Sequence, residues 1–353
     1  MEMMRMTKRS TAILVALVAL GSAPVLAGNP DRAGSAGATQ LLINPWARSS
    51  GWGLANTASL RGVESMFGNV AGLAHVNKTE VNFTNAQWLS GSGIAINSVA
   101  IGQKLGASGV LGLSATTMSF GEMEITTFDI PEGGRGTFRP NMANIGLSYS
   151  KSFSNSIHGG MLVRMVSEGI ATVRTSGICF DAGIQYVTGP KDNLHFGIAL
   201  KNVGPAMNFE GDGLSVQGLL VQGSDNLTLE QRSERFEIPS MLNIGLAYDW
   251  HINDMHRLTF AGTFVSNSFT KDQGVVGVEY AFRKMLHLRA GYLYEDGITS
   301  DTERTTVFTG PSAGLSVDFP FGEDKKSNIS IDYAYRTTNP FAGVHCIGLS
   351  ISL

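Results

Sequence analysis

From Thr79 onward, apolar and polar residues alternate with a period of two along most of the chain. Asn328–Arg336 shows it plainly: Ile329, Ile331, Tyr333 and Tyr335 share one parity, and Asn328, Ser330, Asp332, Ala334 and Arg336 share the other. Successive side chains of an extended strand point to opposite faces, so this segment has an apolar face and a polar one. Leu242, Ile244, Leu246, Tyr248 and Trp250 oppose Asn243, Gly245, Ala247, Asp249 and His251, and Ile178, Phe180, Ala182, Ile184 and Tyr186 oppose Cys179, Asp181, Gly183 and Gln185. The pattern predicts about fourteen strands, at 79–90, 92–105, 107–121, 140–153, 156–170, 175–188, 192–204, 238–252, 256–268, 272–283, 284–296, 307–321, 326–337 and 342–353. Each exceeds the roughly 9–11 residues that cross a bilayer at a tilt.

The connections between these segments carry independent information. Links after even-numbered segments are short, as at Gly106, Ser154-Asn155 and Arg283-Lys284, whereas the two long links, 121–139 and 205–238, both follow odd-numbered ones. Short turns at one end and long loops at the other are the rule for outer-membrane barrels, and an open sandwich has no reason to sort its loops by parity. The predicted fold is therefore all-β: a transmembrane antiparallel barrel pairing 79–90 with 342–353, because a free sheet edge in hydrocarbon would leave backbone groups without partners. With an even strand count, both mature termini are expected in the periplasm. Placing Arg at Ile331 or Tyr333 should be costly if that face meets lipid, and Arg at Ala334 much less so.

A barrel of this size is too wide for side chains alone to fill. Residues 28–78 lack the period of two and hold two of the four tryptophans, so they are expected to form an N-terminal plug, with 79–353 as the barrel. Residues 1–27 read as a secretory signal: Arg5, Lys8 and Arg9 precede the short apolar stretch Ala12–Leu20, and Val25 and Ala27 flank a cleavage site before Gly28. Outer-membrane lipid is the expected surrounding.

Composition agrees with this reading. Only 16% of residues are charged, 43 are glycine and the net charge is -3. A nucleic-acid binder would be basic, so no nucleic acid is expected, and no apolar run of 18 or more residues supports a helical span. Cys179 and Cys346 fall on polar-face positions of distant strands and are expected to be free thiols.

Chemistry-bearing motifs are sparse. Gly51-Trp52-Gly53 lacks the strand-turn-helix frame of a nucleotide loop, and neither a His-Glu-x-x-His nor a Gly-x-Ser-x-Gly pattern occurs. No catalytic, metal or cofactor site is assigned. Lumen-facing Arg164, Asp181, Lys201, Asp249, Glu279, Arg289, Asp318, Asp332 and Arg336 mix both signs, which predicts a bracing network; a selective ion path would favour one sign. The two long loops are unusually apolar, with Met123, Ile125, Phe128, Ile130 and Phe138 in one and Leu214, Val216, Leu219, Leu220, Val221, Leu227 and Leu229 in the other. They either fold over the barrel mouth or offer a docking surface, for which Phe128, Phe138, Leu219 and Leu220 are the candidates.

The stretch Leu41-Leu42-Ile43-Asn44-Pro45-Trp46-Ala47-Arg48-Ser49-Ser50-Gly51 resembles the opening signature of the PorV/PorQ family, FadL-like outer-membrane barrels linked to type IX secretion. The match continues through Asn69-Val70-Ala71-Gly72-Leu73, Phe180-Asp181-Ala182-Gly183, Thr188-Gly189 and Ile198–Phe209. The family's Asn-Pro-Ala-x-Leu has valine at Val70, and the chain ends in Leu353 rather than an aromatic residue. Asn44, Pro45, Ala47, Arg48 and Asn69 are the plug positions the resemblance singles out. It implies a non-enzymatic barrel of the type IX secretion system that binds or shuttles secreted proteins through their C-terminal signals or caps the translocon, or, in the PorQ branch, one that anchors a surface attachment complex. The alternative is a FadL-like transporter of hydrophobic small molecules. An outer-membrane enzyme is a third class, which would need a compact catalytic cluster.

Overall fold

The computed structural model describes residues 28–219, 226–322 and 327–353, so the predicted signal segment lies outside the described residues, as does Leu220. The strands are β1 (Thr79–Trp88), β2 (Ile94–Leu105), β3 (Gly109–Ser119), β4 (Met123–Glu124), β5 (Thr137–Phe138), β6 (Asn141–Ser152), β7 (Ile157–Ile170), β8 (Val173–Thr188), β9 (Leu194–Val203), β10 (Ser215–Leu219), β11 (Asn226–Glu230), β12 (Met241–Asn253), β13 (His256–Asn267), β14 (Gln273–Phe282), β15 (Leu286–Glu295), β16 (Phe308–Phe321), β17 (Ser327–Thr338) and β18 (Val344–Ser352). Fourteen of them close into one antiparallel barrel, while β4–β5 and β10–β11 form two-stranded hairpins within the two long loops. The predicted barrel is borne out, including its closure: β1 pairs with β18 in the register Val81↔Ile351, and Leu353 N donates to Thr79 O at 2.8 Å. The loop hairpins escaped the pattern because each strand holds five residues or fewer.

Alternation sorts the two faces. In β17 Ile331 is 51% exposed on the outer face, whereas Ser330 and Asp332 are 1% exposed on the inner one. The outer face repeats this around the wall with Phe83, Leu113, Leu147, Ile184, Ile244, Phe260, Leu288 and Ile347, giving the apolar belt that a bilayer requires.

Residues 38–76 fill the inside. Short helical turns at Thr39–Leu42, Ala47–Gly51, Ser65–Gly68 and Val70–His75 are joined by irregular backbone. Trp46, Val63, Met66, Val70, Leu73 and Val76 pack against Ala100, Val110 and Leu162 of the wall. The fit depends on wall glycines: a Cβ on Gly197 would lie 2.7 Å from Ala58 Cα, and Gly51 and Gly314 face one another so closely that a Cβ on either would be 2.8 Å from the other's Cα. Much of the inner surface therefore meets protein rather than water. Ala334, expected to tolerate Arg, is fully buried in the cluster with Ala47, so that expectation is corrected: the volume inside it is already occupied.

The path of the plug also changes the position of one terminus. Gly28 lies against Thr270 and Asp272, and Arg32 sits 4.1 Å over Phe269 and 2.8 Å from Glu237, all on links at the loop end. From there the segment descends to Thr79 at the turn end, where Leu353 also lies. Gly28 and Leu353 are thus at opposite ends, not together in the periplasm as expected, because counting strands omits the plug's own passage through the lumen.

Candidate functional site: the plug seat and a loop-end apolar cluster

An irregular segment inside a barrel cannot satisfy its backbone by a ladder, so its carbonyls need side-chain donors. The wall supplies them at intervals along the plug. Cys346 Sγ donates to Pro45 O at 3.2 Å, Ser312 Oγ to Gly51 O at 3.4 Å and Thr263 Oγ1 to Ala55 O at 2.8 Å. Gln185 Nε2 donates to Leu60 O at 2.9 Å, Arg164 Nη2 to Met66 O at 3.3 Å and Ser150 Oγ to Val70 O at 2.5 Å. Both cysteines are free and buried.

Charged groups lock the same interface. Arg48 reaches Asp332 at 3.1 Å and Asp318 at 3.2 Å. Burial opposes its charge, but Asp332, Asp318 and Glu64 outweigh that and raise its pKa above the ordinary arginine value. Glu64 accepts from Ser49 N at 3.2 Å, Ser49 Oγ at 2.8 Å and Asn82 Nδ2 at 3.2 Å; burial, reinforced by Asp332, pushes its carboxyl above the usual range. Burial, together with the cations Arg61 and His158, lowers His75 to about 3, and its ring lies 4.3 Å from that of His158.

At the turn end the plug and wall enclose a polar cavity of about 160 Å3. Arg257 and Arg289 both donate to Glu279 at 2.7 Å, and His195 Nε2 lies 3.2 Å from Asp249 Oδ2. Arg164 and Asp181 pair at 2.9 Å, with Lys201 over the Phe67 ring at 3.8 Å. Most of these mixed-sign pairs join neighbouring wall strands, while Arg164 and Lys201 also reach the plug at Met66 and Phe67, so the pattern's bracing network holds barrel and plug together. Arg336 takes no part in this pairing. Among the described residues, no group of three or more His, Cys, Asp or Glu could hold a metal ion.

The loop end has a different character. Trp88, Ile96, Met118 and Val344 are buried there, with half-buried Ile43, Ile94, Phe120, Met142, Val307 and Phe308 packed around them. They form a packed apolar cluster between the upper plug and the wall, and the rings of Trp88 and Phe308 meet edge to face at 5.7 Å. The cavities left beside it are small, about 30 and 10 Å3, and both are lined in part by Gln40, Ile43, Thr116 and Asn144.

The structure brings the five plug positions named from the sequence into this seat. Asn44 accepts from Trp46 N through Oδ1 and donates to Ser50 Oγ at 3.2 Å; Pro45 supplies a captured carbonyl; Ala47 packs beneath Ala334 and Cys346; Arg48 carries the ion pairs. Asn69 caps the last helical turn by accepting from Ala71 N, and its Nδ2 donates to Thr57 O and Ile184 O. The loop candidates are dispersed. Phe128 is 107% exposed, Phe138 pairs with Met123 in β5, and Leu219 ends β10 opposite Asn226. Sequence reading missed the wall partners Ser150, Gln185, Thr263 and Ser312, whose only signal was their inward parity, and it missed the loop-end packing of Trp88 against Phe308.

This architecture, a lipid-facing fourteen-strand barrel filled from its N-terminal side, defines an outer-membrane barrel of FadL-like fold. The chain is similar in structure to the CymD monoaromatic hydrocarbon channel, with TM-score 0.50 and 14% identity, covering 88% of this chain and 97% of that one. It is likewise similar to the toluene transporter TodX of Pseudomonas putida, with TM-score 0.52 and 14% identity over 84% and 94% of the two chains. No family model matches the chain, and no curated protein matches it.

Proposed function

We propose that the protein passes small hydrophobic molecules across the outer membrane, with its turn end in the periplasm and its plug as the gate. The apolar cluster at the loop end carries this reading: apolar and aromatic side chains converge where a solute from outside first meets the plug. The fold shared with TodX and CymD supports it, since those proteins are a toluene transporter and a monoaromatic hydrocarbon channel. No catalytic step is proposed. The test is uptake of radiolabelled toluene by cells expressing the protein in the outer membrane. Uptake above that of cells with an empty vector, reduced severalfold by Trp88→Ala with Phe308→Ala, is expected; equal uptake with and without the protein sinks the reading.

A second reading is docking of type IX secretion components or exported proteins, as the PorV/PorQ resemblance implies. The exposed side chains favour it: Phe128 projects from one long loop, and Val216, Leu227 and Leu229 share one exposed face of the β10–β11 hairpin. Crosslinking from a photoreactive residue at position 128 in native membranes should trap a secretion component or an exported protein. Trapping only lipid would discard it.

A further inference from the structure

The turn-end cavity of about 160 Å3 is lined by four arginines: Arg48 and Arg61 from the plug, Arg257 from β13 and Arg289 from β15. Three of them are engaged. Asp332 and Asp318 hold Arg48, and Glu279 accepts from both Arg257 Nη2 and Arg289 Nε at 2.7 Å. The two carboxylates of the lining are occupied as well, Glu279 by these arginines and Asp249 by His195 at 3.2 Å and by Thr259. Arg61 is left over. Among the described residues it makes neither an ion pair nor a side-chain hydrogen bond. Arg257 also has a spare donor: its Nε has no hydrogen-bond partner among the described residues, and Asp249 Oδ1 stands 4.0 Å from it.

The two spare donors share one void but belong to different parts of the molecule. Burial lowers the pKa of Arg61 from the ordinary arginine value, and the like charge of Arg257 adds to that, while Asp249 and Asp192 offset part of it. An anion placed between two such guanidiniums relieves their repulsion and satisfies both. The void has room for it, since a cavity of about 150 Å3 holds a guest as large as benzene. We propose that the turn-end cavity binds a small tetrahedral oxyanion, phosphate or sulfate, between Arg61 of the plug and Arg257 of the wall. The planar fork of each guanidinium matches two oxygens, and Asn56 and Ser59 of the plug line the same void as further donors. The bound anion joins plug to wall, so occupancy holds the plug in its seat. The site is independent of what crosses the barrel, and its failure would leave the transport reading standing.

Calorimetric titration of the full-length protein in non-ionic detergent at pH 7 tests this, with sodium phosphate and sodium sulfate as probes and sodium chloride at matched ionic strength as the control. Phosphate or sulfate should bind saturably and chloride should not. R61M should weaken that binding about tenfold, the ratio of one charge-assisted pair, and R61K should recover part of it. Phosphate should also slow chymotryptic cleavage within residues 38–76 in the unmodified protein and leave the rate in R61M unchanged. Heats no different from those of chloride would reduce the effect to charge screening and overturn the site, without any variant having to fold. Binding that is equally tight in R61M would overturn the place of Arg61 in it. Binding without slower cleavage would overturn its hold on the plug.

Discussion

Arg48 is the residue whose loss the plug should feel most. Its removal leaves Asp332, 1% exposed, without a counter-charge among the described residues. Arg48→Met should cost about 3 kcal/mol, the low end for breaking a buried pair, because the Arg48 side chain is itself 32% exposed. The urea midpoint of the detergent-folded protein measures it, and an unchanged midpoint would mean that the pair is not stabilising. His75 gives the pH signature. Its folded pKa of about 3 lies below the ordinary 6.5, so its contribution is fully present above pH 6.5 and is lost as pH falls from there towards 3. His75→Phe should flatten the stability–pH curve in that window; a curve with the same slope would assign the acid sensitivity elsewhere. On the outer face, Tyr333→Arg should cost roughly 2–4 kcal/mol if it sits at the bilayer midplane. Arg at Ala334 should also be costly, by a different route: it displaces the Ala47 turn. Refolding yields into vesicles separate the two, since only the second should leave the barrel assembled with the plug open to protease.

At the scale of elements, the close approach of Gly51 to Gly314 sets how deeply the Ala47–Gly51 turn can seat against β16. Gly314→Val should raise proteolytic cleavage within residues 38–76 while the barrel keeps its resistance to unfolding in cold SDS. Unchanged protection would show that the wall yields instead. The strands themselves were legible because period-two alternation is a local property, and Leu242–His251 needs no distant partner to declare its faces. The plug could be recognised only as a segment without that period. Its carbonyl partners, Ser150, Gln185, Thr263 and Ser312, are far away in sequence, and nothing local distinguishes them from other inward polar residues. Asn44, Pro45, Ala47, Arg48 and Asn69 stood out by resemblance, but what they do there is a matter of contacts within the plug and with β8, β16, β17 and β18.

For the whole molecule, the relation between plug and barrel decides whether anything passes. A variant lacking residues 28–76 should form barrels that conduct ions in planar bilayers, and the intact protein should remain almost silent. Equal conductance in both would show that the lumen is open around the plug. By itself the amino-acid order determined that the chain forms an antiparallel barrel, which face meets lipid, where the barrel closes and which end carries the long loops. All of these follow from side-chain alternation and from the need to pair every backbone group in hydrocarbon. Only the tertiary structure decided that Gly28 lies at the loop end, that Ala334 faces protein instead of water, and that Arg336 stands without a counter-charge among the described residues. Each of these depends on how an irregular segment packs against fourteen strands, and long-range packing leaves no periodic trace in the order of residues.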